Sequence, residues 1–420
     1  MNGTLTKSDL LALAQSQTTL ADAAQKQAAL QYIETHELPG VKEEAWLKTN
    51  IRPLLQHAYV AAPALEITEA QCNTFRIKDL EANLLVFVNG HFAPNLSSII
   101  DKGIKWLAIP AAVLDGAEMH KYPNTLDNVF TALNTAYAEE GYYVTVSNGI
   151  KPAHPLHVMH IATGQEAALV QARNLILLED SAEVTVIESY HSLGDASFFY
   201  NVAARFELGA GAQLHYNLVQ DQHTSSYLIH NLAVTQQTQS VFTAHVSTLG
   251  GALVRNNLSI LQSAENIQTN LSGLYLLSGT QHTDNHILVH HAKPSCQSAQ
   301  FYRGILDGNS SAVFTGKVLV DRGAAKTNAS QSNKNILISD TAKASSKPQL
   351  EIYADDVACS HGSSTGKLDQ EAQFYMVQRG LSSTQARTFL LQAFAADVLT
   401  RIDCLPLREH INERIHQVLQ

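Results

Sequence analysis

Residues Gln239–Gly273 read QSVFTAHVSTLGGALVRNNLSILQSAENIQTNLSG. Short β-type pieces alternate here with turn residues, charge is sparse, and asparagine and glutamine recur inside the strand-like runs. Uncovered amides in a strand are costly to bury unless they pair, and coils stacked on one another supply such pairing as ladders of small and amide side chains. The stretch therefore points to a β-solenoid. Outward from it, "LLVFVNG", "YYVTVSNG", "AEVTVIESY", "LYLLSG", "HILVHH" and "KVLVDRG" repeat the pattern from about Leu84 to Tyr353, each ended by Gly, Asn, Ser or Asp. No helix-period segment is expected to interrupt that block, and no fixed repeat length emerges from it.

Helices are expected on both flanks. "DLLALAQSQTTLADAAQKQAALQYI" is rich in Ala, Leu and Gln without interior Gly or Pro, Ser8 is its expected cap, and Pro39-Gly40 breaks it. Trp46 is read as a packing anchor. At the other end Asp369 caps "QEAQFYMVQR", Gly380 stops it, and Ser382 with Gln385 has capping-box spacing. A third helix begins at Pro406, with Leu407, Ile411, Ile415 and Val418 along one side. The expected organisation is a helical region over 1–80, a β-solenoid core over 81–365 and a second helical region over 366–420.

With 420 residues and 45% hydrophobic content the chain has material for a large core. Its formal net charge of -10 argues against a general nucleic-acid binder. The amino terminus lacks the pattern of a secretory signal and no apolar run is long enough to span a bilayer, so a cytoplasmic protein without a membrane partner is expected. Four scattered cysteines, Cys72, Cys296, Cys359 and Cys404, make neither a disulfide framework nor a Cys-x-x-Cys zinc site.

Several motifs offer chemistry and withhold it. Gly362–Lys367 ("GSSTGK") has three residues between its glycines where a phosphate loop has four, and Leu368 stands where the magnesium-binding hydroxyl belongs. His282, His286 and His290 share a strand face but lie roughly 13 Å apart at spacing four. They are read as surface or structural, as are His154, His157 and His160. Asp355-Asp356 reads as a solvated or turn-forming pair. What remains is Cys359 and His361, on one face of an extended segment and roughly 7 Å apart, near enough to approach one metal cluster. Nothing nearby completes four ligands. Either a second subunit supplies the rest, or the pair is a buried structural cysteine beside a surface histidine.

The segment Lys347–Arg387, "KPQLEIYADDVACSHGSSTGKLDQEAQFYMVQRGLSSTQAR", resembles the signature of the SufB/SufD family, scaffold subunits of the Suf iron-sulfur cluster assembly machinery. "LPGVKEEAWLKTNIRPLL", "VFTALNTAYAEEGYYVTV", "SAQFYRGILDGNSSAVFTGKVLV" and "AAKTNASQSNKNILIS" resemble further family blocks in family order, so the likeness covers nearly the whole chain. The resemblance implies a right-handed parallel β-helix flanked by helices. It implies a scaffold, not an enzyme, with no catalytic residues, pairing with SufB and docking the SufC ATPase through helices around 370–398. It also implies a transient iron-sulfur cluster shared with the partner subunit at His361, with Cys359 nearby, and no cofactor held stably by the isolated chain.

SufB-type chains resemble this one but carry a Cys-Asp-Ser stretch where it reads "QSNKNILIS", Gln331–Ser339, so the D branch is the nearer likeness. Cys296 is assigned no function. An isolated chain is expected to be able to pair with itself. A polysaccharide-acting β-solenoid would want a cluster of carboxylates, and a metal-dependent hydrolase three local ligands; the sequence offers neither.

Overall fold

The computed structural model describes residues 6–15, 23–108, 128–138 and 140–419. Twenty strands dominate it: β1 Val60–Ala61, β2 Asn83–Val88, β3 His91–Phe92, β4 Ile104–Ala108, β5 Tyr142–Val146, β6 Leu156–Thr163, β7 Ala168–Leu178, β8 Glu183–Leu193, β9 Phe198–Leu208, β10 Gln213–Asp221, β11 Tyr227–Gln236, β12 Val241–Thr248, β13 Leu253–Gln262, β14 Gln268–Leu277, β15 His282–His291, β16 Gln297–Leu306, β17 Ser311–Val320, β18 Asn328–Leu337, β19 Lys343–Ile352 and β20 Ala358–Gly366. From β5 onward, odd strands stack in parallel into one sheet and even strands from β6 into another, each of β7 to β18 pairing within its own sheet with the nearest strand of the same parity on either side, except that β1 also pairs with β7. This is a parallel β-solenoid, as the amide-rich stretch predicts.

The two sheets face each other across a lumen filled by alternate residues of every strand, such as Val158, Val186, Leu214, Phe242 and Leu271 from the even sheet and Ile176, Phe206, Val234, Ile260 and Val289 from the odd one. Neighbouring coils interlock by size. The Tyr302 ring lies over Gly273 and the Tyr275 ring under Gly304; a Cβ at those glycines would sit 2.2 Å and 2.1 Å from the rings. The amides form ladders: Asn257 donates to Asn231 at 2.8 Å and Asn256 to Asn285 at 3.0 Å, each one coil apart.

Each coil turns one of its corners through a residue in the left-handed region. Ser181, Gly211, Gln239, Asn266, Ser295, Lys326 and Asp356 occupy this position in successive coils. The Lys326 N–H donates to the carbonyl of Asp356, as Ser181 donates to Ala210 and Gly211 to Thr238 earlier in the stack. Asp356 is thus a corner residue, as the turn-forming reading has it.

Helices lie along the outer faces. Lys7–Gln15, Ala23–Thr35 and Val129–Tyr137 join Trp46, Ile51, Leu54 and Tyr59 over the odd sheet at Leu169, Phe199, Tyr227 and Leu253. Trp46 is buried, with the Arg255 guanidinium 3.7 Å above its ring and Arg255 paired with buried Asp284. Helices Ser383–Leu399 and Leu405–Leu419 cover the even sheet at Ile187, Val219, Leu274, Leu276 and Ile305. The capping box of Ser382 and Gln385 and the Asp369 cap form as predicted.

Three expectations are corrected. The helix Val129–Tyr137 does interrupt the strand block; it spans nine residues, all buried, and Val129, Phe130, Thr131, Thr135 and Tyr137 are residue types that favour strands, while its Asn128 capping box closes with Thr131. The first helix is capped by Thr6, whose hydroxyl and backbone both bond Asp9, so Ser8 lies inside it. Val418 is exposed while Leu407, Ile411 and Ile415 are buried, which narrows the last apolar stripe by one turn. No helix among the described residues is long and apolar enough to cross a membrane.

Candidate functional site

The two ends of the solenoid are finished differently. At the first, β3 pairs antiparallel with β2 and β4 antiparallel with β5, and Phe87, Phe92 and Trp106 pack together across the opening at ring distances of 5.7 Å and 4.7 Å. At the last, β19 pairs only with β17 and β20 only with β18, so each presents a free backbone edge. Edges of this kind are templates for another strand unless charge, proline or a cover blunts them. β19 carries Lys343, Lys347 and Pro348; β20 reads ACSHGSSTG, with neither lysine nor proline.

Register fixes which side chains this edge displays. Cys359, His361, Ser363 and Thr365 stand directly over Ala329, Gln331, Asn333 and Asn335, the inward-facing row of β18. In any earlier coil these positions would be buried. Here no coil follows, and His361 is exposed while Cys359 is half-buried. The two predicted ligands therefore share one face, at the mouth of the lumen. Their floors differ: Cys359 rests against Val318, Val320, Ala324 and Ala329. Burial pushes its thiol above its ordinary value, only partly offset by a backbone bond from Ala329, so Cys359 is a neutral thiol at pH 7.

No set of three or more His, Cys, Asp and Glu among the described residues converges as metal ligands. Three ion pairs lie around the mouth, Lys317–Glu351, Lys347–Glu44 and Lys367–Asp340. "GSSTGK" runs out of β20 into a link before the helix Gln370–Gln378, so its backbone is strand where a phosphate loop would curl.

The other histidines picked out in the sequence have structural partners, His286 apart, which is half-buried on β15. His282 bonds Thr49 and Ser311, His290 pairs with Asp321 at 2.9 Å, and His154 pairs with Asp101. His157 and His160 lie on opposite faces of β6: His157 bonds Ser189 outside the lumen, and His160 lies 3.2 Å from Glu188 within it. Glu188 is a buried hub that the sequence did not single out. It accepts from Tyr142, Tyr190, Tyr216 and Asn174. Burial opposes its charge, but these bonds and the His160 imidazole outweigh that and hold its carboxyl at about 2. A glutamate alternating with Val186 and Tyr190 was the available signal.

Residues 7–158 match the SufBD protein N-terminal region and residues 160–394 the SUF system FeS cluster assembly SufBD core domain. The chain belongs to the SufBD family. It is 32% identical to the iron-sulfur cluster assembly protein SufD of Escherichia coli, over 94% of this chain and 92% of that one. An iron-sulfur cluster assembly SufBD family protein of Synechocystis is 30% identical over 92% of this chain and 89% of its own. SufD of Bacillus subtilis is 24% identical over 72% and 71%. The family membership bears out the resemblance carried by Lys347–Arg387, and its role in iron-sulfur cluster assembly is the coarse function of the fold.

Proposed function

We propose that this chain is a non-catalytic scaffold subunit of the Suf complex in the cytoplasm, and that its open solenoid end is one half of a cluster-assembly site. The observation that carries this reading is the placement of His361 and Cys359 on the inward row of an unguarded terminal strand, where they do not form part of a set of three metal ligands among the described residues. A SufB-type subunit of the same fold, set end to end, would extend the even sheet through β20 and bring the missing ligands. A nascent iron-sulfur cluster, the cargo of the complex, would then be held between the chains, with His361 as this chain's principal ligand. Cys359, a neutral thiol on an apolar floor, would join only where partner or iron draws off its proton.

The carboxy-terminal helices supply the other half of the scaffold role. Phe374, Tyr375 and Phe389 are large, apolar and more than half exposed; Phe389 lies on the helix Ser383–Leu399, which anchors to the even sheet, and Phe374 and Tyr375 on the helix Gln370–Gln378, which packs against that helix. Such residues fit the docking of the SufC ATPase, whose ATP-driven dimerisation would be transmitted through these helices to the shared face. In isolation, the same free edges can pair two copies of this chain.

The test is the assembled complex carrying His361→Ala. Cluster formation should fall to background while the subunits still co-purify in unchanged ratio; a wild-type cluster yield would remove the site.

A further inference from the structure

Beneath His361 the lumen holds something it holds beneath no other residue of the mouth. The column under it runs Gln331, Gln300, Leu271 in successive coils. Gln331 and Gln300 are 4% and 2% exposed, and neither the oxygen nor the nitrogen of either amide has a hydrogen-bond partner within the described chain. Across the lumen is Gly316. A Cβ there would lie 2.5 Å from the Gln300 oxygen and 2.8 Å from the Gln331 nitrogen, so the missing side chain is what admits the two amides.

Orphaned amide atoms occur elsewhere in the stack, at both atoms of Gln222 and at one atom of Gln171, Gln220 and Gln262, but Gln331 and Gln300 are the pair in the column directly beneath His361, where the neighbouring Asn335 bonds Asn333. An unpaired buried polar group is costly, and one placed beneath a candidate ligand is a candidate partner for it. Here the backbone that carries an orphaned amide lies one strand spacing, roughly 5 Å, from the backbone of His361, with both side chains on the same row. Cys359 has only Ala329 in the corresponding place. Histidines that bind metal donate their other ring N–H to a fixed acceptor, which sets the tautomer and the ring plane.

We propose that Gln331 is the positioning residue of His361 in the shared site, an inference that rests on the scaffold reading above. When a second chain closes the mouth, the Gln331 amide carbonyl accepts from one ring N–H of His361. The other ring nitrogen then keeps its lone pair turned toward the partner, where the iron of the cluster is held. Gln300, roughly 10 Å from His361 by two coil spacings, cannot make this bond and serves as the internal control.

The experiment uses the co-expressed complex with Gln331→Leu, Gln331→Glu, Gln300→Leu and His361→Ala, reading cluster yield and the ring-nitrogen NMR signals of 15N-histidine. Gln331→Leu should cut cluster yield about tenfold and turn a single His361 tautomer into a mixture, with subunit ratio unchanged. Gln331→Glu, which keeps an acceptor, should restore most of the yield; Gln300→Leu should match wild type. Wild-type yield and an unchanged tautomer in Gln331→Leu, beside an inactive His361→Ala, would overturn the positioning role alone. Equal losses in Gln300→Leu and Gln331→Leu would also overturn it, since the amides would then serve only packing. A fully active His361→Ala would remove the scaffold site itself.

Discussion

The first end of the solenoid is closed by two antiparallel strands and an aromatic plug of Phe87, Phe92 and Trp106, whereas the last end stops at two bare parallel strands. Both ends face the same physical problem, a lumen that would open to water. One solves it within the chain. The other leaves it to another molecule, and fills the row that would have been core with Cys, His, Ser and Thr. The lesson is that the same inward-facing positions serve stability in the body and recognition at the mouth.

That contrast can be tested first by acid. His157, His191 and His245 are buried in the body, and burial pulls each down to about 3. The unfolded chain takes up protons at these residues below about pH 6.5 while the native chain does not, so their contribution is complete above that pH and is lost as pH falls toward 3. Between pH 7 and 5 each should cost on the order of 2 kcal/mol. Urea unfolding of the isolated chain across this range should show a steep decline, and replacing His245 by Gln should flatten it. A flat profile in the wild type would mean that these rings are not kept neutral by burial.

Next in size is the hub. Glu188→Ala strips the acceptor from three buried tyrosine hydroxyls and should destabilise the chain by about 3–5 kcal/mol in denaturant unfolding. A loss below 1 kcal/mol would contradict the assignment of Glu188 to the core of the body. At the mouth the balance reverses. Ser363→Lys places an inward-pointing charge on the edge strand, a device that blocks strand addition. It should abolish co-purification with a SufB-type partner yet leave the midpoint of unfolding where it was. Smallest is His361→Ala in the isolated chain, which should change stability by less than about 0.5 kcal/mol because the ring is exposed and unpartnered by the body.

The solenoid was legible in Gln239–Gly273 because amide ladders need stacked coils, and the caps at Asp369 and Ser382 because their partners lie within three residues. The repeat was not legible. Its most regular mark is the left-handed corner, whose occupants are Ser, Gly, Gln, Asn, Ser, Lys and Asp, spaced by 27 to 31 residues as the turns vary in length. Side-chain identity does not preserve such a signal, because the conformation is imposed by stacking of one corner on the next. The helix Val129–Tyr137 escaped because it is short and rich in β-branched and aromatic residues, the types that also fill the strands around it. For the site, Cys359 and His361 could be placed on one face from spacing alone, but Gln331 could not be placed beneath His361 without the coil step of 30 residues that register supplies.

The central claim is that the open end is completed by a second chain. Hydrogen–deuterium exchange of the isolated chain and of the assembled complex tests it most directly. The account predicts fast exchange in Ala358–Gly366 for the isolated chain under conditions that keep it monomeric, strong protection of that strand in the complex, and no change in β2–β4 at the closed end. Unchanged exchange in β20 on assembly, or new protection at the closed end in its place, would contradict it.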